Sequence, residues 1–252
     1  MQPIELRCEY AVNPVGIDCR APRFGWLLAA AERGAMQTAY RVLVASSEER
    51  LAEDEGDLWD SGKVDCGRSV NVEYGGAELS SAQRCHWKVR VWDQAGEESD
   101  WSEPAAFEMG LLEAADWQGK WIGAAAGVPA PMLRKPFELP ASVRCARLYV
   151  SGIGWTEVCL NGGKVGDRVL DPAASEYPKS VYYVVHDVSG LLKQGSNAVG
   201  IWLGNGWYSE PDSPQCRVDA QERPVRYAAG LPVPGALGLD RPGHDHRKPV
   251  SA

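Results

Sequence analysis

The run Trp87-Lys88-Val89-Arg90-Val91-Trp92 sets Trp87, Val89 and Val91 on one side of an extended chain and Lys88 and Arg90 on the other. Successive side chains of a strand point to opposite faces, so this run specifies a half-buried antiparallel strand. Tyr40, Val42 and Val44 repeat the pattern. Turn signals at Asp60-Ser61-Gly62, Gly75-Gly76 and Gln94-Ala95-Gly96 recur at short intervals, the rhythm of a small β-sandwich over residues 1–110. One helical turn is expected after Ser46, where Glu49 stands three residues on as a capping box.

Alternation stops near residue 111, and the composition turns to small residues ending in Ala124-Ala125-Ala126-Gly127-Val128-Pro129-Ala130-Pro131, so an inter-domain linker is expected over 111–133. Strand patterns resume over 134–212 with Leu148 and Val150, Val158 and Leu160, a Val181–Val185 run, and Val199, Ile201 and Leu203. Asn161-Gly162 predicts a tight hairpin, because both central positions of a type I′ turn need positive φ. Residues 213–252 hold six Pro and four Gly without any period, and read as an irregular tail. Two readings of that tail stand open: disorder, because it offers little apolar surface against its ordering entropy, and a stretch foreign to the domain before it, as from a shifted reading frame.

Composition narrows function by exclusion. The net charge of −8 repels phosphate backbones, which argues against a nucleic-acid partner. No apolar stretch approaches the roughly 18 residues needed to cross a bilayer. Ten Trp and nine Tyr against three Phe favour rings with a polar edge, suited to a β-protein or a sugar site. The N-terminus shows no basic region followed by an apolar one, so a cytoplasmic location is expected. Seven cysteines lie scattered without C-x-x-C spacing and are expected to be reduced and mostly buried.

Several motifs together resemble a known family. Cys85–Asp93, Gly96 and Trp101-Ser102-Glu103-Pro104 look like the last strands of a fibronectin type III-like sandwich. Leu6–Tyr10, Asn13–Asp18, Gln37–Ser46, Leu58–Val64 and Trp117–Gly123 resemble the opening of bacterial α-L-rhamnosidases. Ala146–Val150, Leu160-Asn161-Gly162, Val165-Gly166-Asp167, Leu170-Asp171-Pro172 and Leu203-Gly204-Asn205-Gly206-Trp207-Tyr208 continue the likeness, which spans about residues 3 to 208. The resemblance implies an all-β chain: a fibronectin type III-like sandwich, then a jelly-roll of carbohydrate-binding type that is incomplete after Tyr208 and leaves an open strand edge.

The family's activity is inverting hydrolysis of terminal α-L-rhamnosides by two carboxyl groups roughly 6.5 to 9.5 Å apart. Both belong to an (α/α)6 barrel further along, so no catalytic residue transfers to this chain and no cofactor is implied. Its expected role is a non-catalytic N-terminal portion, with a rhamnose-containing glycoside or the separate catalytic domain as partner. The alternative is a free-standing rhamnose-binding or interaction module. Asn205, Trp207 and Tyr208 are the candidate ligand-binding residues, offering an aromatic face and polar groups between glycines that let the backbone turn. The 171–177 loop carries Ala174 where the family usually has an aromatic. Asp167 and Asp171 supply oxygen donors, but no run of alternating carboxylates marks a metal site. His244-Asp245-His246 reads as a solvated part of the tail, and Gly152-Ile153-Gly154 lacks the third glycine of a phosphate loop.

Overall fold

A computed structural model describes residues 1–124, 128, 130–177, 179–204 and 206, together with the backbone of 227–230. The chain divides into two units, Met1–Asp116 and Trp117–Ala252.

Unit 1 contains β1 (Gln2–Cys8), β2 (Val15–Ile17), β3 (Arg23–Ala29), β4 (Gln37–Ala45), α1 (Glu48–Ala52), β5 (Trp59–Asp60), β6 (Val72–Glu73), β7 (Arg84–Asp93) and β8 (Ala105–Met109). They form a three-stranded sheet, β1-β3-β6, and a five-stranded sheet, β2-β8-β7-β4-β5. The alternation of β4 and β7 sets their register, with Val42 opposite Val89 and Val44 opposite Trp87. These apolar sides join Phe24 and Trp26 of β3 in one buried cluster. Phe24 lies at its centre, 4.5 Å from Trp87 and 5.6 Å from Phe107 between ring centroids.

The outer face of β4 and β7 is less exposed than alternation predicts. Leu43 and Ala45 are buried with Leu51 of α1. Arg41 and Arg90 stand directly opposite each other, an arrangement that is destabilising when unpaired. Asp60 binds Arg41 through two bonds of 2.9 and 2.7 Å, Glu98 pairs with Arg90, and the Trp101 ring lies 3.8 Å from the Arg90 guanidinium. The helix cap also differs from expectation. Ser47, not Ser46, accepts the Arg50 N–H, because Ser46 is committed to Asp57 through its own N–H and hydroxyl.

Unit 2 contains β9 (Trp121–Ile122), β10 (Met132–Leu139), β11 (Arg147–Gly152), β12 (Trp155–Leu160), β13 (Gly163–Lys164), β14 (Tyr183–Asp187), β15 (Gly195–Gly204) and β16 (Tyr227–Gly230). Two four-stranded sheets result, β10-β15-β12-β13 and β14-β11-β16-β9. Leu148 and Val150, Val158 and Leu160, and Ile201 and Leu203 meet in the core. The predicted hairpin joins β12 to β13, with Asn161 at φ 52° and Gly162 at φ 88°.

Two elements fall where composition shows none. β9 lies inside the 111–133 stretch, and β16 lies inside the segment read as irregular. β16 pairs with β11 on one side and β9 on the other, so β11 has a partner on both edges where an open edge was expected. A Tyr-Ala-Ala-Gly strand has no alternation to read. The rest of the 213–252 tail, His244 to His246 included, lies outside the described residues. Among the described residues six thiols are free, of which only Cys8 and Cys85 are buried, while Cys19 and Cys145 are exposed. No helix among the described residues is long and apolar enough to cross a membrane.

Candidate functional site

Asn205, Trp207 and Tyr208 lie outside the described residues, but the backbone that launches their segment is on view. β15 ends at Gly204, opposite Trp155 of β12. Gly206 follows at φ +52°, and a Cβ there would stand 2.9 Å from the Cα of Gly154, itself at φ 103°. Two glycine backbones therefore meet where β15 leaves the sheet beside the β11–β12 turn. Any larger residue at 206 would meet backbone rather than a side chain that can swing away. This accounts for Gly154 and Gly206, and gives Gly152-Ile153-Gly154 a packing role.

The same end of β12 holds the loop that follows β13. Thr156 donates both its backbone N–H (2.6 Å) and its hydroxyl (3.1 Å) to the Asp171 carbonyl. Further along, the Ser175 hydroxyl donates to the Ser180 carbonyl at 2.7 Å. His186 of β14 reaches the turn before this loop, where its ring lies 3.3 Å from the position of a Cβ on Gly166. Burial holds the His186 imidazole below its ordinary value, with Asp171 opposing that shift and Arg168 reinforcing it. The ring is thus neutral near pH 7. Among the described residues no group of three or more His, Cys, Asp or Glu side chains is arranged to hold a metal ion.

Several described carboxylates are engaged in ion pairs, among them Glu9 with Arg23, Asp54 with Lys88, Glu157 with Lys164, and Asp187 with Arg147. Hydrogen bonding from Arg23 holds Glu9 below the usual carboxylate range, and Arg41 does the same for Asp60. Such carboxylates stay ionised and bound to a cation, which suits structural pairing and not proton donation to a leaving group.

The chain thus consists of two β-sandwich units, one after the other in sequence. Residues 3–113 match the family described as Rha78A-like, N-terminal immunoglobulin domain, and residues 141–230 match the alpha-L-rhamnosidase N-terminal domain. The second match runs past Tyr208 through β16. An alpha-L-rhamnosidase of Formosa agariphila is 41% identical over 223 residues, 79% of this chain and 23% of that protein. The solved alpha-L-rhamnosidase of Dictyoglumus thermophilum superposes with a TM-score of 0.78 at 41% identity, over 82% of this chain and 25% of that one. That of Aspergillus terreus gives 0.73 at 25% identity, over 90% and 26%. The chain carries the two N-terminal domains of α-L-rhamnosidases. It spans about a quarter of the length of the relatives it matches.

Proposed function

We propose that this chain acts as the non-catalytic N-terminal portion of an α-L-rhamnosidase, and that hydrolysis of the rhamnoside is carried out by a catalytic body outside these residues. The observation that carries this reading is the order of the two matches, 3–113 then 141–230, within about a quarter of the relatives' length. The fold supports it chemically. An inverting hydrolase needs one carboxylic acid and one carboxylate facing each other across a water. Glu9, Asp54, Glu157 and Asp187 are closed onto cations and are not free for that role. Six free thiols among the described residues suit a reducing compartment, and the cytoplasm is the proposed location.

The test is an assay of the purified chain on p-nitrophenyl α-L-rhamnoside. No p-nitrophenol release is expected, and turnover that follows the protein through successive columns would overturn the proposal.

A second reading, a rhamnose-binding module in its own right, rests on the chemistry of the Asn205-Gly206-Trp207-Tyr208 run, whose Gly206 backbone packs against Gly154. In this reading Asn205 bonds sugar hydroxyls while Trp207 and Tyr208 cover an apolar ring face. Calorimetric titration with L-rhamnose separates the two: saturable heat that disappears in Trp207→Ala supports the module, and a flat trace at millimolar sugar removes it.

A further inference from the structure

On the outer face of the β1-β3 pair lies a shallow depression of about 80 Å³, lined by Tyr10, Arg7, Gly25, Leu27, Val70 and Asn71 among others. We propose that it binds one ring of a neutral pyranoside, with Tyr10 as the stacking platform. This goes beyond the match to rhamnosidase N-terminal domains and does not depend on the site after β15.

The Tyr10 ring is fixed before any ligand arrives. Its hydroxyl donates to Asn71 Oδ1 at 2.8 Å. The Arg23 guanidinium lies 5.2 Å from the ring centroid, and is itself gripped by Glu9 through bonds of 3.0 and 2.7 Å. One ring face is therefore backed by a cation, and the residue is still 61% exposed. A preorganised aromatic loses little side-chain entropy when a flat apolar surface covers it. The backbone is bent to present it: Glu5, Glu9, Tyr10 and Asn71 all adopt positive φ, between 46° and 65°. Non-glycine residues persist in that region when surrounding structure holds them there, and such positions gather at binding sites.

The floor and rim define the occupant. Arg7 is the register partner of Gly25, whose missing side chain opens the floor. A Cβ at Gly25 would meet nothing closer than 3.5 Å, so the site is open by composition and not by steric necessity. Leu27 and Val70 add apolar walls that are 52% and 55% exposed. Around them Glu5, Arg7, Glu9 and Arg23 form two closed ion pairs. Their charges cancel, so neither an anion nor a cation finds an uncompensated partner. A neutral ring with one apolar face and hydroxyls at its edge matches an aromatic platform flanked by donors and acceptors of both kinds. The Arg7–Glu5 pair is half exposed at the rim, where its outward-facing N–H groups and carboxylate oxygens reach ring hydroxyls with the pair intact. The depression covers one ring face only, and the expected affinity is on the order of millimolar.

The test is an amide NMR titration of the 252-residue chain with methyl α-L-rhamnopyranoside and methyl β-D-glucopyranoside. Saturable shifts are expected at Tyr10, Gly25, Leu27 and Asn71 with at least one glycoside. Tyr10→Ala weakens binding roughly tenfold or more. Tyr10→Phe, which keeps the ring and loses only the Asn71 bond, stays within about threefold of the parent. Gly25→Ala fills the floor without backbone conflict, so it weakens binding while the melting temperature holds or rises. Absence of shifts at these residues with both sugars, shifts confined to unit 2, or a folded Tyr10→Ala chain that titrates like the parent would each overturn the proposal. None of these outcomes touches the hydrolysis assay, so the two proposals fail separately.

Discussion

At the scale of single residues, the interior of unit 1 depends on a polar side chain that local pattern does not single out. Gln37, 6% exposed, accepts the Trp26 indole N–H at 2.9 Å. Its amide donates to the Cys66 carbonyl at 3.3 Å and the Arg68 carbonyl at 2.9 Å, tying the 66–68 loop to β4. Gln37→Leu keeps the bulk but strands one indole N–H and two carbonyls, and is expected to cost about 2–4 kcal/mol. Urea unfolding followed by tryptophan fluorescence checks this: the midpoint should fall with an unchanged slope. A glutamine at the first position of a strand reads as surface from sequence alone. Its role comes from a loop about thirty residues on, which no local period encodes. Tyr10 escaped notice for the same reason, since its anchor Asn71 lies 61 positions away. Asn205, Trp207 and Tyr208 were legible as a motif because they fall within four consecutive residues, and they lie outside the described residues.

At the scale of elements, strands were readable where one face is buried and the other wet, as in β7, because the pattern then states which side is which. β16 was not, since its Tyr-Ala-Ala-Gly sequence carries no alternation and its place is set by backbone pairing to β11 and β9. The β12–β13 hairpin was legible as a turn, yet Asn161 does more than adopt positive φ. Its amide donates to Asn197 Oδ1 and the Leu191 carbonyl, both at 2.9 Å, while its own oxygen accepts the Ala198 N–H at 3.0 Å. Asn197, 2% exposed, in turn bonds the backbone of Lys193 and Gly195. The pair therefore locks the hairpin to the start of β15. Asn161→Gly preserves the turn and removes only these bonds, and is expected to cost about 1–2 kcal/mol, whereas Asn197→Ala leaves buried groups unmet and costs about 2–4 kcal/mol. A double-mutant cycle by chemical denaturation should show a coupling of roughly 0.5–1.5 kcal/mol, and additive losses would mean the two side chains act independently.

At the scale of the whole molecule, acid should act on the chain in two stages. Five carboxylates of unit 1 are held below their usual range. Glu9 is bonded by Arg23, Asp54 by Lys88, Asp60 by Arg41 and Asp116 by Ser81, and at Asp57 the bonds from Ser46 outweigh an opposing effect of burial. A carboxylate with a folded value below its unfolded one stabilises the fold above the unfolded value, near 4. That contribution is lost as pH falls through the folded value. The histidines act earlier. Burial lowers His86 in unit 1, against the attraction of Glu48 and Glu49 and with the help of Arg84, and lowers His186 in unit 2. The unfolded chain then binds protons first as pH drops below about 6.5, so each unit loses stability from there down. Melts followed by unit-specific indole signals, Trp26 for unit 1 and Trp155 for unit 2, should both fall by a few degrees between about pH 7.5 and 5.5. Below about pH 5 the unit 1 signal should continue to fall steeply. His186→Gln should flatten the upper range for unit 2 alone. A unit 2 transition that keeps its full pH dependence in that variant would show that its acid sensitivity arises from groups other than this imidazole.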